Sequence, residues 1–149
     1  MKVLFDTNVI IDIWKKDEKF FLDSFASYDV CVLRNWEPYI AVTAVPDIEY
    51  LLLARGILSK AKVAQAMDAL FEMFSVADAQ ECDCLIAHQV GFPDLEDGII
   101  ACSADRNNMD VIVTRNAKDF KKSGVPALTP KDFVSAYKPD GVTYEITNF

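Results

Sequence analysis

Asp6, Glu49, Asp94, Asp97 and Asp119, with Asn116 shortly before the last, are the residues of this chain whose types and positions suit chemistry. Each falls at the edge of a predicted element, on the side where parallel strands end. Ligands of open α/β sheets bind there, in the crevice outside the carboxyl ends of the strands. Carboxylates gathered within a few ångströms repel one another and are driven to protonate unless a cation neutralises them. Oxygen donors without His or Cys suit Mg²⁺ or Mn²⁺. One or two such ions can activate a water and stabilise the leaving oxygen of a phosphodiester. Each acid also has a plainer reading. Asp6 is a turn or cap residue after a strand, and acids in first helical turns are favoured by the helix dipole. Asp94 is a natural N-cap that leaves Asp97 at the third helical position, Asn116 a turn residue, and Asp119 a cap or surface charge. Taken singly, none of them is specific.

The elements that must position them alternate between strand and helix. The pattern predicts a strand at Val3–Asp6, helices over Val9–Trp14 and Lys19–Ala26, and a short β-branched strand at Val30–Leu33. Pro38 and the Ile40–Thr43 run lead into a helix opened by Pro46, which would put Glu49 in its first turn; Gly56 stops it. Ser59 caps a helix whose Val63, Met67, Leu70, Phe71 and Phe74 recur at core spacing. Asp78 and Glu81 resemble a capping box for a helix through Leu85, Ile86 and Val90. Asp94 begins the next helix, Val111–Thr114 is a buried strand, Val125–Leu128 a last short one, and Thr129-Pro130 opens a final helix through Phe133, Val134 and Tyr137. Such alternation implies a parallel sheet with helices on both faces. Residues 1–138 read as one domain. Residues 139–149 read as a C-terminal arm or tail, in which Val142–Ile146 alternates either as a strand that pairs with a partner or as a disordered end.

Composition excludes several classes of function. The chain has 149 residues, 52% of them hydrophobic, and no apolar stretch approaches a membrane span. The N-terminus lacks the features of a signal peptide, so a cytoplasmic location is the default expectation. A net charge of −8 argues against holding nucleic acid by bulk charge alone. Two local basic runs remain, Arg55 with Lys60 and Lys62, and Arg115 with Lys118, Lys121 and Lys122. They read either as solvated faces or as phosphate contacts. With one histidine and no C-x-x-C spacing, Cys31, Cys82, Cys84 and Cys102 read as buried or inert thiols, not a zinc site. Trp36 and Tyr39 are candidates for partner contact, with burial in the core as the alternative.

Taken together, four segments resemble the ordered motifs of PIN-domain nucleases, in the small bacterial branch that includes VapC-type toxins. They are Asp6-Thr7-Asn8-Val9-Ile10-Ile11-Asp12, Val45-Pro46-Asp47-Ile48-Glu49, Asp94 to Ala104, and Val111 to Phe120. The first and the last two are specific, the Glu49 motif is loose, and the likeness runs from Lys2 to about Tyr137. The resemblance implies a three-layer α/β/α fold around a central parallel sheet, and a Mg²⁺- or Mn²⁺-dependent ribonuclease that hydrolyses single-stranded RNA. It matches Asp6, Glu49 and Asp97 to the family's metal-binding acids and Asn116 to a position where many members carry a further Asp. Asp94 or Asp119 then makes up the missing charge.

On that reading Asp6 and Asp97 fix the metal and Glu49 orients or deprotonates the attacking water. Asn116, with Thr114 or Asp119, positions a second ion or its waters. Arg115, Lys118, Thr114 and Asn8 would contact the substrate. A homodimer and an antitoxin partner are implied as well. Two rivals remain. One is a degenerate PIN fold serving as an interaction module. The other is a Mg²⁺-dependent phosphatase with a nucleophilic Asp6, weakened because Asn8 stands where such enzymes carry a second Asp. No Gly-rich phosphate loop is present.

Overall fold

A computed structural model describes residues 1–145. Five strands, β1 (Lys2–Phe5), β2 (Glu37–Ala41), β3 (Ser75–Ala77), β4 (Val111–Val113) and β5 (Ala127–Leu128), form one sheet in the order β3-β2-β1-β4-β5. All four pairings are parallel. Parallel strands need crossovers, and the sequence supplies them with helices α1 (Thr7–Lys15), α2 (Phe21–Arg34), α3 (Ala44–Ala54), α4 (Lys60–Met73), α5 (Glu81–Val90) and α6 (Leu95–Arg106), while α7 (Pro130–Tyr137) follows the last strand. A 3₁₀ turn at Ala117–Phe120 follows β4. The result is the three-layer α/β/α arrangement expected from the sequence.

The chain winds from β1 to β2 and β3 in one direction, then crosses to β4 and β5 in the other. The order therefore reverses between β1 and β4, where Val3, Leu4 and Phe5 lie opposite Val111, Ile112 and Val113. Those six side chains are buried and form the centre of the core, as a sheet covered on both faces requires. The residues just beyond them, Asp6 and Thr114, are thereby carried side by side to the carboxyl edge of the sheet.

Several sequence expectations are corrected. Val30–Leu33 is the end of α2, and the helix expected at Lys19–Ala26 begins at Phe21 and runs unbroken to Arg34. Its buried residues Ser24, Ala26, Ser27, Val30 and Cys31 recur at helical, not alternating, spacing. The strand lies further on, at Glu37–Ala41. α3 starts at Ala44, so Pro46 is its third residue and Glu49 stands in the second turn. The capping box of α5 is made by Gln80 and Asp83 rather than Asp78 and Glu81. Phe71 is exposed, Cys82 and Cys84 are exposed too, and Cys31 alone is fully buried. Trp36 packs edge-on against Phe133 and Tyr137, and Tyr39 is half-buried, donating to Glu37. Residues 142–145 form no strand; Tyr144 packs onto the core and donates to Asp29. Ile146 lies outside the described residues.

Candidate active site at the switch point of the sheet

Asp6 is both the last residue before α1 and its N-cap, with extended backbone and a carboxylate that accepts from the Thr7 amide at 2.8 Å. Its other oxygen accepts from the Thr114 hydroxyl at 2.8 Å and from the Asn8 amide nitrogen at 3.0 Å. Thr114 is fully buried beneath it and also accepts from the Asn116 amide. The Asn8 carbonyl oxygen accepts from the Arg115 amide, so Asn8 ties α1 to the loop after β4. Burial raises the proton affinity of Asp6, and the bonds from Thr114, Thr7 and Asn8 and the Arg115 charge only partly offset it.

Asp97 comes to the same crevice from the first turn of α6. Asp94 caps that helix by accepting from the Asp97 amide, as the sequence implies. Gly98 follows because a Cβ there would stand 2.9 Å from the Phe92 ring and 3.0 Å from Ala87, closing the approach of α6 to α5. Burial, reinforced by the charges of Asp6, Asp94 and Asp119, pushes the Asp97 carboxyl up to about 6. Glu96 is pushed up to about 7 by burial, by a hydrogen bond shared with Asp47, and by the charges of Asp47, Asp94 and Asp97.

A cavity of about 250 Å³ opens among these groups, lined by Asp6, Asn8, Asp94, Glu96, Asp97 and Asn116, with Arg55 and Arg115 supplying positive charge. The Thr7 hydroxyl, also on its wall, is buried without a hydrogen-bond partner. Of the residues singled out from sequence, the structure brings Asp6, Asn8, Asp94, Asp97, Arg115 and Asn116 together. Asp119 stands close enough to raise Asp97 but does not line the cavity, Lys118 is exposed away from it, and Thr114 sits below it out of reach of any ligand.

Glu49 is not brought in. With Ile48 and Leu52 facing the core, Asp47 and Glu49 lie on opposite flanks of α3, and the flank facing the cavity carries Asp47, Leu51 and Arg55. Glu49 is exposed. Sequence reasoning therefore missed Glu96 as a wall residue and Asp47 as its hydrogen-bond partner, while Arg55, read from sequence as a possible phosphate contact, does line the cavity. The i, i+4, i+8 repeat of Asp47, Leu51 and Arg55 was the available signal.

The donor set, all carboxylate, hydroxyl and amide oxygen, has the chemistry of a hard divalent cation site, and the unpartnered Thr7 hydroxyl and upward-shifted acids are what such an ion would relieve. The spacing is looser than the chemistry: among the described residues no three His, Cys, Asp or Glu side chains stand together closely enough to hold a metal.

An acidic crevice at the reversal point of a parallel sheet places this chain among the open α/β proteins whose ligand sites lie at the strand ends. The PIN domain family matches residues 2–118, and the chain belongs to that family. Curated protein sequences include no match to it. Similar solved structures include VapBC2 from Rickettsia felis bound to a promoter DNA fragment, with 15% identity and a TM-score of 0.66 over 87% of this chain and 98% of that one. A toxin–antitoxin complex from Klebsiella pneumoniae shows 22% identity and a TM-score of 0.61 over 86% and 97%. VapBC-1 from nontypeable Haemophilus influenzae shows 19% and 0.64 over 87% and 98%. Among the described residues no helix is long and apolar enough to cross a membrane.

Proposed function

We propose that this PIN domain is a Mg²⁺- or Mn²⁺-dependent endoribonuclease that hydrolyses single-stranded RNA, and that it is the toxin of a toxin–antitoxin pair. The observation that carries the reading is the convergence of Asp6 and Asp97 at the switch point, where burial and then the acidic neighbours push the Asp97 carboxyl up to about 6. Asp6 and Asp97 would hold the ion, with Asp94, Asn116 and Asp119 around it. When bound, a divalent ion supplies Lewis-acid stabilisation of phosphoryl charge and a more acidic water.

The protein groups do the rest. Thr114, Asn8 and the Thr7 amide fix the Asp6 carboxylate in one orientation. Arg115 and Arg55 offset the charge of an entering phosphodiester, whose approach to so acidic a cavity would otherwise be opposed. Glu96 on the cavity wall, hydrogen-bonded to Asp47, would take the role expected of Glu49 and accept the proton of the water that adds to phosphorus as one P–O ester bond breaks.

The similar structures titled as VapBC or toxin–antitoxin complexes support an antitoxin partner. Exposed apolar side chains at Tyr50, Leu53, Leu85, Ile86 and Val90 support protein contacts, whether with an antitoxin or a second copy in a homodimer. The loose spacing of the acids and the uncharged Asn116 favour a second reading, a PIN fold that binds a partner without cleaving RNA.

The test is the thermal midpoint of metal-free protein with and without Mg²⁺ or Mn²⁺, followed by cleavage of single-stranded RNA. A ligand specific to the native state adds about 2.7 kcal/mol at a hundred times its dissociation constant. A rise in Tm and an RNA-cleaving activity, both lost in Asp97→Asn, are expected. A well-folded protein with neither response would establish the interaction module.

A further inference from the structure

Asp12 is a buried carboxylate that the chemistry above does not use. It is 3% exposed, on the inner face of α1, and burial raises its proton affinity. Its partners are the Ser24 hydroxyl, which donates at 3.1 Å, and the Arg115 guanidinium, whose Nε stands 3.2 Å away. The same guanidinium lies over the Phe20 ring, 4.3 Å from its centroid. Arg115 is thus held from two sides, by a buried anion and an aromatic face, although it belongs to an exposed loop. A buried ion pair is costly to assemble, so its presence here is weak as a source of stability. What it does is fix one cation at a defined place.

That place is the wall between two cavities. Arg115 lines the acidic cavity and also a second one of about 200 Å³ behind it, formed by Phe20, Asp23, Ser24, Thr129, Pro130 and Lys131. The second cavity combines an aromatic ring, a planar guanidinium, a flexible cation on its rim and a helix start at Thr129. Rings and guanidinium planes are what proteins use to hold unstacked bases, with Lys and Arg following the backbone. Asp23 disfavours a phosphate inside the cavity, while its carboxylate can accept from the exocyclic amine of a base.

We propose that the Phe20–Arg115–Lys131 cavity is a subsite for the base of a nucleotide flanking the scissile phosphate. Asp12 acts as a positioning residue that holds Arg115 as the wall shared with the acidic cavity. The proposal rests on the ribonuclease reading for the identity of the strand, and its test separates the two.

The experiment titrates the full-length, isotope-labelled protein with a short single-stranded RNA in EDTA at low salt, so that binding is read without turnover. Amide shifts are followed for Ser24, Thr129 and Lys131 and for Asn8 and Asp97, and cleavage with Mn²⁺ is assayed separately. Shifts in both groups are expected, with Phe20→Ala and the exposed Lys131→Glu each raising Kd about fivefold or more. Asp12→Asn is expected to weaken binding and to remove the Ser24 shift. Shifts confined to Asn8 and Asp97, with both surface variants binding like wild type, overturn the subsite while leaving the nuclease reading standing. Shifts at Ser24 and Lys131 in a protein that never cleaves RNA uphold the cavity as a base-binding site and overturn the nuclease reading, and with it the cavity's place beside a scissile phosphate. An absence of shifts anywhere overturns the subsite, and the separate Mn²⁺ cleavage assay decides the nuclease reading.

Discussion

Two acidic groups in this molecule are treated in opposite ways. At the junction of α5 and α6, Asp78 and Asp83 are met by one cation from the same chain: Arg106 binds Asp83 at 2.8 Å through Nη2 and Asp78 at 3.1 Å through Nη1. Hydrogen bonds from Gln80 and Arg106 hold the Asp78 carboxyl below the usual range. At the carboxyl edge of the sheet, Asp6, Asp97 and Glu96 shift the other way. Arg115 is close by, yet it is drawn aside by Asp12. One cluster is pinned by a cation of its own and behaves as a brace. The other leaves a charge deficit among its acids, and the contrast, more than the count of acids, sets the two clusters apart.

The largest expected effect breaks the brace. Arg106→Leu leaves the buried Asp83 without its cation, so Tm should fall by several degrees while the increment on adding Mn²⁺ is unchanged. Equal loss of stability and of the metal response, read by calorimetry, would show that the two clusters are not independent.

A smaller effect, of opposite sign in the two places, comes from pH. The native state holds protons on Asp97 and Glu96 where the unfolded chain has lost them, since their values rise to about 6 and about 7. The stability this contributes is complete below the ordinary carboxylate range and disappears as pH rises through the folded values. The Tm of metal-free protein should therefore contain a component that declines from about pH 4 to about pH 7, and the gain from Mg²⁺ should grow over the same interval. Asp97→Asn should flatten the lower part. Asp78, lowered, contributes above its unfolded value and loses that contribution only as pH falls through its depressed one, outside this window. A metal-free Tm with no such component would remove the charge deficit from the argument.

The smallest effect separates the flanks of α3. Asp47→Asn should displace the acidic limb of the cleavage profile, whereas Glu49→Gln should leave rate and profile within about twofold. The reverse order would restore Glu49 to the site.

Much of this was legible in the sequence because strand ends fix where side chains arrive. Asp6 and the Thr114–Asn116 turn follow the two apolar runs that become β1 and β4, and any parallel sheet placing those runs together delivers them to one edge. Asp97 was legible through its cap, since Asp94 sets the helix phase. The side of α3 was not legible. The core residues Ile48 and Leu52 dictate that Asp47 and Glu49 diverge, but only the packed position of the helix decides which meets Glu96. Likewise Val30–Leu33 reads as a strand in isolation, because a four-residue apolar run has no period of its own. The small buried Ser24 and Ser27 reveal the helix only once its length is known. The pairing of Asp12 with Arg115 joins residues far apart in the chain and leaves no local pattern.

The bond from Thr114 to Asp6 spans 108 positions. During vectorial synthesis the first of these residues leaves the ribosome long before the second exists, and β1 has neither β2 nor β4 to lie against. The Asp6 carboxylate then remains solvated and unoriented until the β4 turn arrives. A PIN domain with this connectivity cannot assemble its reactive edge on a nascent chain shorter than about three quarters of its final length. Whatever chemistry depends on that edge is withheld until most of the chain has been made.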